Sequence, residues 1–176
     1  MKNQAMQTRL SEEVRELVNA RRSLQLATVC EDGSPYASYA PYAVGENCLY
    51  VLLSDIAVHG LNLLREPRAS VLIIEDEDGC GELFARIRVN YRVHATAVEL
   101  DSAEWHDGVE RLAARHGERP RKLSQLADFQ LFRLAPQGGR YVKGFGKAYD
   151  LAGDTLAGEI DNPRTDGHRQ RETTAA

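Results

Sequence analysis

The sequence predicts a mainly β protein, an antiparallel barrel with helices packed on its outside. Three observations carry that expectation. About seven short runs rich in Val, Leu, Ile, Tyr and Phe recur along the chain, and most are separated by hairpin-length connections. Helical periodicity is confined to a few stretches between those runs. Finally, 176 residues at 43% hydrophobic content suffice for one buried core and are short for two.

The elements follow in chain order. In "SEEVRELVNAR", Ser11 reads as an N-cap followed by acids, and Leu10, Val14, Leu17 and Val18 share one face, so a first helix is expected there. "SLQLATVCEDGSPYASYAPYAVGENCLYVLL" reads as a three-stranded meander turning at Asp32-Gly33 and at Gly45-Glu46-Asn47. A helix from Ser54 or Asp55 must stop before Pro67, and "RASVLII" returns as a buried strand ahead of an acidic loop, Glu75 to Glu82. "LFARIRVNYRVHATAVEL" is the longest strand pattern. Ala85, Ile87, Val89, Tyr91 and Val93 alternate there with Arg86, Arg88, Asn90, Arg92 and His94, which sets an apolar face against a basic ladder. The capping box "DSAE" starts a helix with Trp105, Val109, Leu112 and Ala113 on one stripe and an end near Gly117. "DFQLFRL" and "GRYVKGFGKAYDL" are expected as two closing strands around Pro136-Gln137-Gly138-Gly139. The barrel domain is placed at residues 1–152, and the polar, weakly patterned 153–176 reads as a C-terminal tail.

Composition removes several function classes. A net charge of −4 and a pI near 5.8 argue against nucleic-acid or anionic-membrane binding, so any basic site must be local. Apolar runs such as "CLYVLL" are too short for a membrane span, and "MKNQAMQTRL" lacks the apolar stretch of a signal peptide, so a cytoplasmic location is expected. Cys30, Cys48 and Cys80 include no C-x-x-C pair, which leaves nitrogen or oxygen for any metal chemistry. No hydrolase motif stands out.

Arg86, Arg88 and Arg92 are the sharpest local departure from an acidic chain. Arginines two residues apart on a strand project to one side and can clamp a carboxylate or phosphate, or they can form a solvated face paired with the chain's acids. Lys143 precedes Gly144 and Gly146, which either admit a ligand closely or mark a bulge or bend. Of the histidines, His94 shares the basic face, His106 and His116 ride an outer helix, and His59 lies within the middle helix. His168, in "RTDGHRQRE", is isolated near the chain's end.

"LQLATVCEDGSPYASYAPYAV", "LLSDIAVHGLNLLREPRASVLIIEDE", "LFARIRVNYRV", "DFQLFRLAPQGGRYVKGFGKAYDL" and the final "GHR", taken together, resemble the HugZ/HutZ-type haem-utilisation proteins. These belong to the FMN-binding split-barrel superfamily that includes pyridoxamine phosphate oxidase. The resemblance runs from about Arg21 to Arg169 with its segments in order. It implies a six-stranded split barrel, a homodimer and a ligand site at the dimer interface. Flavin-binding relatives hold the FMN phosphate through cations and hydroxyls, and this chain carries Ser38, Ala43, Ala57, Val58 and His59 at those positions. A dianionic phosphate there forfeits several charge-assisted hydrogen bonds of about 1.5–3 kcal/mol each.

The haem-binding branch implies His168 as axial ligand of the haem iron, Asp128 as the carboxylate that orients its ring, and Arg88 near the open side of the iron. Arg86 and Lys143 are candidates for the haem propionates. The implied activity is an oxygenase that degrades haem for iron utilisation, with haem as both cofactor and substrate and an external electron donor. Haem storage or shuttling without turnover is the alternative, and an FMN-dependent oxidoreductase is the third.

Overall fold

The computed structural model describes residues 2–161. Helix α1 (Lys2–Ala20) precedes a β1–β2 hairpin (Ser23–Val29, Pro35–Pro41), and the two-residue β3 (Ala43–Val44) pairs with β4 (Leu49–Ser54). Helix α2 (Val58–Arg65), β5 (Arg68–Ile74), a 3-10 turn (Leu83–Ala85) and β6 (Arg88–Ala97) follow. The chain continues through α3 (Ala103–His116), α4 (Arg119–Leu123), β7 (Phe129–Gly144), β8 (Lys147–Ala152) and β9 (Glu159–Asp161). One antiparallel sheet runs β2-β1-β5-β6-β7-β4-β3, with β8 and β9 branching from β7. The sheet curls until β2 comes back against β4 without a ladder between them, which is the split of the barrel. The six-stranded expectation corresponds to the path from β2 to β4; β3, β8 and β9 are additional.

The core explains the curl. Leu10, Val14 and Val18 of α1 lie in one cluster with Leu24, Leu26, Val71, Ile73, Val89, Tyr91 and Phe132 of the strands. Each such side chain contributes about 1.5–3 kcal/mol by leaving water. Outside the barrel, Trp105, Val109 and Leu112 of α3 cover Tyr50, Val98 and Leu131, so this helix closes the outer face of β4 and β7. Its start is as the capping box requires: Ser102 Oγ accepts from Trp105 N at 3.1 Å.

Several sequence expectations are corrected. Ser11 is not an N-cap, because α1 begins near the N-terminus and Ser11 lies inside it. The meander breaks after β2, which among the described residues pairs only with β1, while β4 crosses to pair with β7. Arg86 precedes β6, so the basic ladder begins at Arg88. Pro136–Gly139 does not turn the chain. It is a bulge within β7, where the register against Tyr91 and Val93 shifts and Gly138 adopts φ 95°. The true hairpin follows at Phe145-Gly146. The start of the expected tail also belongs to the core, since Leu156, Ala157 and Ile160 are buried and Tyr91 Oη donates to the Leu156 carbonyl.

The bulge has a close tolerance. A Cβ on Gly139 would run into the Asn90 carbonyl oxygen on the neighbouring strand. Gly139→Ala should therefore lower unfolding free energy by roughly 1–3 kcal/mol in urea denaturation, with an unchanged m-value. Wild-type stability in that variant would show that the bulge accommodates a side chain.

Candidate functional site

A groove of about 430 Å³ opens on the outer face of β6, β7 and β8. Register brings its residues together. Asn90, Arg140 and Asp150 form one row across the three strands, and Arg88, Val142 and Ala148 form the next. The β7–β8 hairpin and Phe84, 88% exposed, bound the groove's end. Arg88 Nη1 donates to the Arg86 carbonyl at 2.9 Å and has no carboxylate partner among the described residues. Arg140 faces Asp150 at 3.5 Å, with both side chains partly in solvent. A carboxylate-bearing, largely apolar ligand suits such a lining of cations over Val142, Ala148 and Phe84.

Asp128 occupies the opposite end of β7. Its Oδ2 accepts from Ser54 Oγ at 2.7 Å, its backbone carbonyl accepts from Asp55 N at 2.7 Å, and Ile56 N donates to Ser54 Oγ at 3.1 Å. The Ser54 carbonyl presses on Gly60, where a Cβ would collide with it, so α2 is seated directly on this turn. Asp128 Oδ1 takes no hydrogen bond among the described residues and is free to accept one. On the same side, His59 Nδ1 lies 2.9 Å from Ser38 Oγ, which donates weakly to the Leu26 carbonyl at 3.3 Å. Burial pushes the His59 pKa below its ordinary value, so the imidazole is neutral near pH 7.

The expected site residues are not all gathered. Arg86 is occupied: its guanidinium donates to the Glu75 carbonyl and pairs with Glu77 at 3.0 Å. Lys143 follows Val142 on β7 and so projects to the other face, where its Nζ meets Glu13 Oε1 of α1 at 2.5 Å. His168 lies outside the described residues. Arg140 and Lys147 line the groove and were not among the sequence candidates. Their signal was available only in part. "GRYVKGFGK" shows its cations, but which of them share a face with Arg88 depends on the bulge and on where the hairpin turns.

The pyridoxamine 5'-phosphate oxidase family matches residues 10–143. The Vibrio cholerae protein named Heme oxygenase HutZ is 42% identical over 170 residues, covering 97% of this chain and 96% of its own. Among solved structures, Vibrio cholerae HutZ, described as a haem storage protein, superposes with a TM-score of 0.71 at 44% identity over 76% of this chain and 94% of its own. Campylobacter jejuni ChuZ superposes with a TM-score of 0.76 at 27% identity over 93% of this chain and 68% of its own. The family match, the superposition on a solved HutZ and the near-complete match in length agree, and the chain is a member of the pyridoxamine 5'-phosphate oxidase family, in the branch that contains HutZ.

Proposed function

We propose that this protein binds haem in the β6–β7–β8 groove of a homodimer and opens the ring with oxygen to release iron. The observation that carries the reading is Arg88, a guanidinium held by a backbone carbonyl, without an acidic partner among the described residues, in a cationic and apolar groove of an acidic protein. The similarity to a haem oxygenase over nearly the whole chain supports it. When bound, haem supplies the iron that takes up oxygen and the ring edge that is opened. The protein's part is positional and electrostatic. The remaining N–H groups of Arg88 would donate to polar groups of the bound ligand at the centre of the groove, and the Arg86 carbonyl limits their swing. Asp128, oriented by Ser54 and with its Oδ1 free among the described residues, would accept the N–H of a histidine that holds the iron and make that ring more electron-donating.

Two protomers are needed to assemble these parts. Arg88 pairs with Val142 and Asp128 precedes Phe129, so about 45 Å of strand path separates them along β7. His168 stands seven residues beyond Asp161, a reach of at most about 25 Å. That reach favours an imidazole that meets Asp128 across a dimer interface. The open edge of β2 and the exposed Tyr36, Tyr39, Ile56, Val58, Leu61 and Leu64 offer an apolar face for such an interface. One haem per protomer is expected, and a haem-competent monomer in sedimentation would overturn the arrangement.

Haem storage without turnover is the second reading, since solved HutZ carries that description. Incubating the haem complex with ascorbate in air, with catalase present, separates the two. Turnover predicts decay of the Soret band and capture of iron by a ferrous chelator, whereas storage predicts a stable spectrum. FMN fits less well, because the phosphate positions hold a neutral His59, a Ser38 already hydrogen-bonded to it and a fully buried Ala43. A flavin spectrum in purified protein would reverse that order.

A further inference from the structure

We infer that Lys147 and Arg140 hold the carboxylate side chains of the tetrapyrrole, an assignment that rests on the haem reading of the same groove. Carboxylates need cations that are not already neutralised, and this requirement sorts the basic residues around the site. Arg86 already serves Glu75 and Glu77. Lys143 already serves Glu13, on the far face of β7. Lys147, in contrast, is exposed and makes no ion pair or side-chain hydrogen bond among the described residues. Arg140 has only Asp150 at 3.5 Å, with side chains 37% and 50% exposed, a separation and solvation at which an ion pair holds weakly. A planar guanidinium in that state keeps two parallel N–H groups for an incoming carboxylate.

The rows of the sheet set the spacing. Lys147 pairs with Gly144, four residues along β7 from Arg140, or about 13 Å between backbone positions. Both side chains are long, so their charged ends can converge on two carboxylates attached to one edge of a macrocycle. Arg88 lies on the row between them, opposite Val142. Its place is therefore beneath the ring, and the division of labour follows: Arg140 and Lys147 at the ring's edge, Arg88 at its centre. Among the described lining residues none is a carboxylate, and Asp150, beside Arg140 on the same row, is the acid that an incoming carboxylate must displace.

The test pairs residue changes with a ligand change. Haemin and haemin dimethyl ester, which lacks the two negative charges, are titrated by Soret absorbance into full-length wild type, Lys147→Met, Arg140→Met and the double variant. Wild type is expected to prefer haemin roughly tenfold or more, each single variant to lose about three- to fivefold of that preference, and the double variant to lose nearly all of it. Affinity for the ester should stay within about twofold throughout, and Lys147→Arg should restore the preference. A preference for haemin that survives in the double variant overturns the assignment while leaving haem binding intact. Wild type that takes up neither ligand overturns the haem reading and the assignment together. Unchanged melting temperatures separate a lost charge from a lost fold.

Discussion

Replacing His168 with alanine is expected to weaken haem binding by about a hundredfold or more while leaving the barrel folded. The iron–nitrogen bond is the one directional, strong contact in the proposed site; the groove otherwise offers charge and apolar surface, which bind without fixing the metal. Truncation after Asp161 should reproduce the loss. It spares the buried Leu156, Ala157 and Ile160 and the β8–β9 pairing, so the melting temperature should move little. His59→Ala, His106→Ala and His116→Ala should each keep the haem spectrum. Asp128→Asn should retain haem but lower the iron–histidine stretching frequency in resonance Raman, because an amide is a poorer acceptor than a carboxylate. Tight binding with an unchanged iron–histidine band in His168→Ala would remove the histidine from the site.

Arg88→Ala should separate binding from turnover. Its guanidinium is tied to the Arg86 carbonyl and has no acid beside it among the described residues, so its free donors are available to whatever anion or polar ligand occupies the centre of the groove. Haem affinity is expected to stay within a few fold, whereas degradation with ascorbate should slow by about 10²–10³, the usual consequence of removing one donor from a developing charge. Arg88→Lys should recover only part of the rate, since an ammonium restores charge without the paired N–H geometry. Equal losses of affinity and rate would place Arg88 at the propionates instead.

What the sequence revealed, and what it concealed, follows from the range of each signal. Local chemistry was legible. Ser102 caps α3, Gly117 ends it at φ 79°, and Asp32-Gly33 turns β1 into β2. The alternation from Arg88 to Ala95 showed which side chains face the core. Signals whose meaning depends on distant partners misled. Pro136-Gln137-Gly138-Gly139 has turn composition, yet the same residues suit a bulge when strands on both sides hold the chain extended. Arg86 continued the alternation by letter, but the 3-10 turn at Leu83–Ala85 delays the strand. Leu156, Ala157 and Ile160 are too few to show a period, and only the Tyr91 hydroxyl and the floor of the barrel give them a place. The groove was half visible for the same reason. Arg88 could be singled out on its own strand, whereas Arg140 and Lys147 join it only through two ladders.

The shared edge of β7 has a bearing on how the protein opens. One side of the strand is bound to β6 along most of its length, but the other is divided: β4 holds Phe129–Leu134 and β8 holds Gly139–Gly144, with the bulge between them. Closing the barrel depends on the first, while the second carries β8 and, through it, β9. The bodies of β8 and β9 are also anchored from below, since Leu151, Leu156 and Ile160 sit in the core cluster and the Tyr91 hydroxyl donates to the Leu156 carbonyl. The 145–147 tip of the hairpin is exposed instead, so its amide protons should exchange by local opening at a small fraction of the global unfolding free energy, and those of β4 only when the barrel itself comes apart. Lys147 rides on that tip, so the groove has a route to admit or release a bulky guest that leaves the closed barrel untouched.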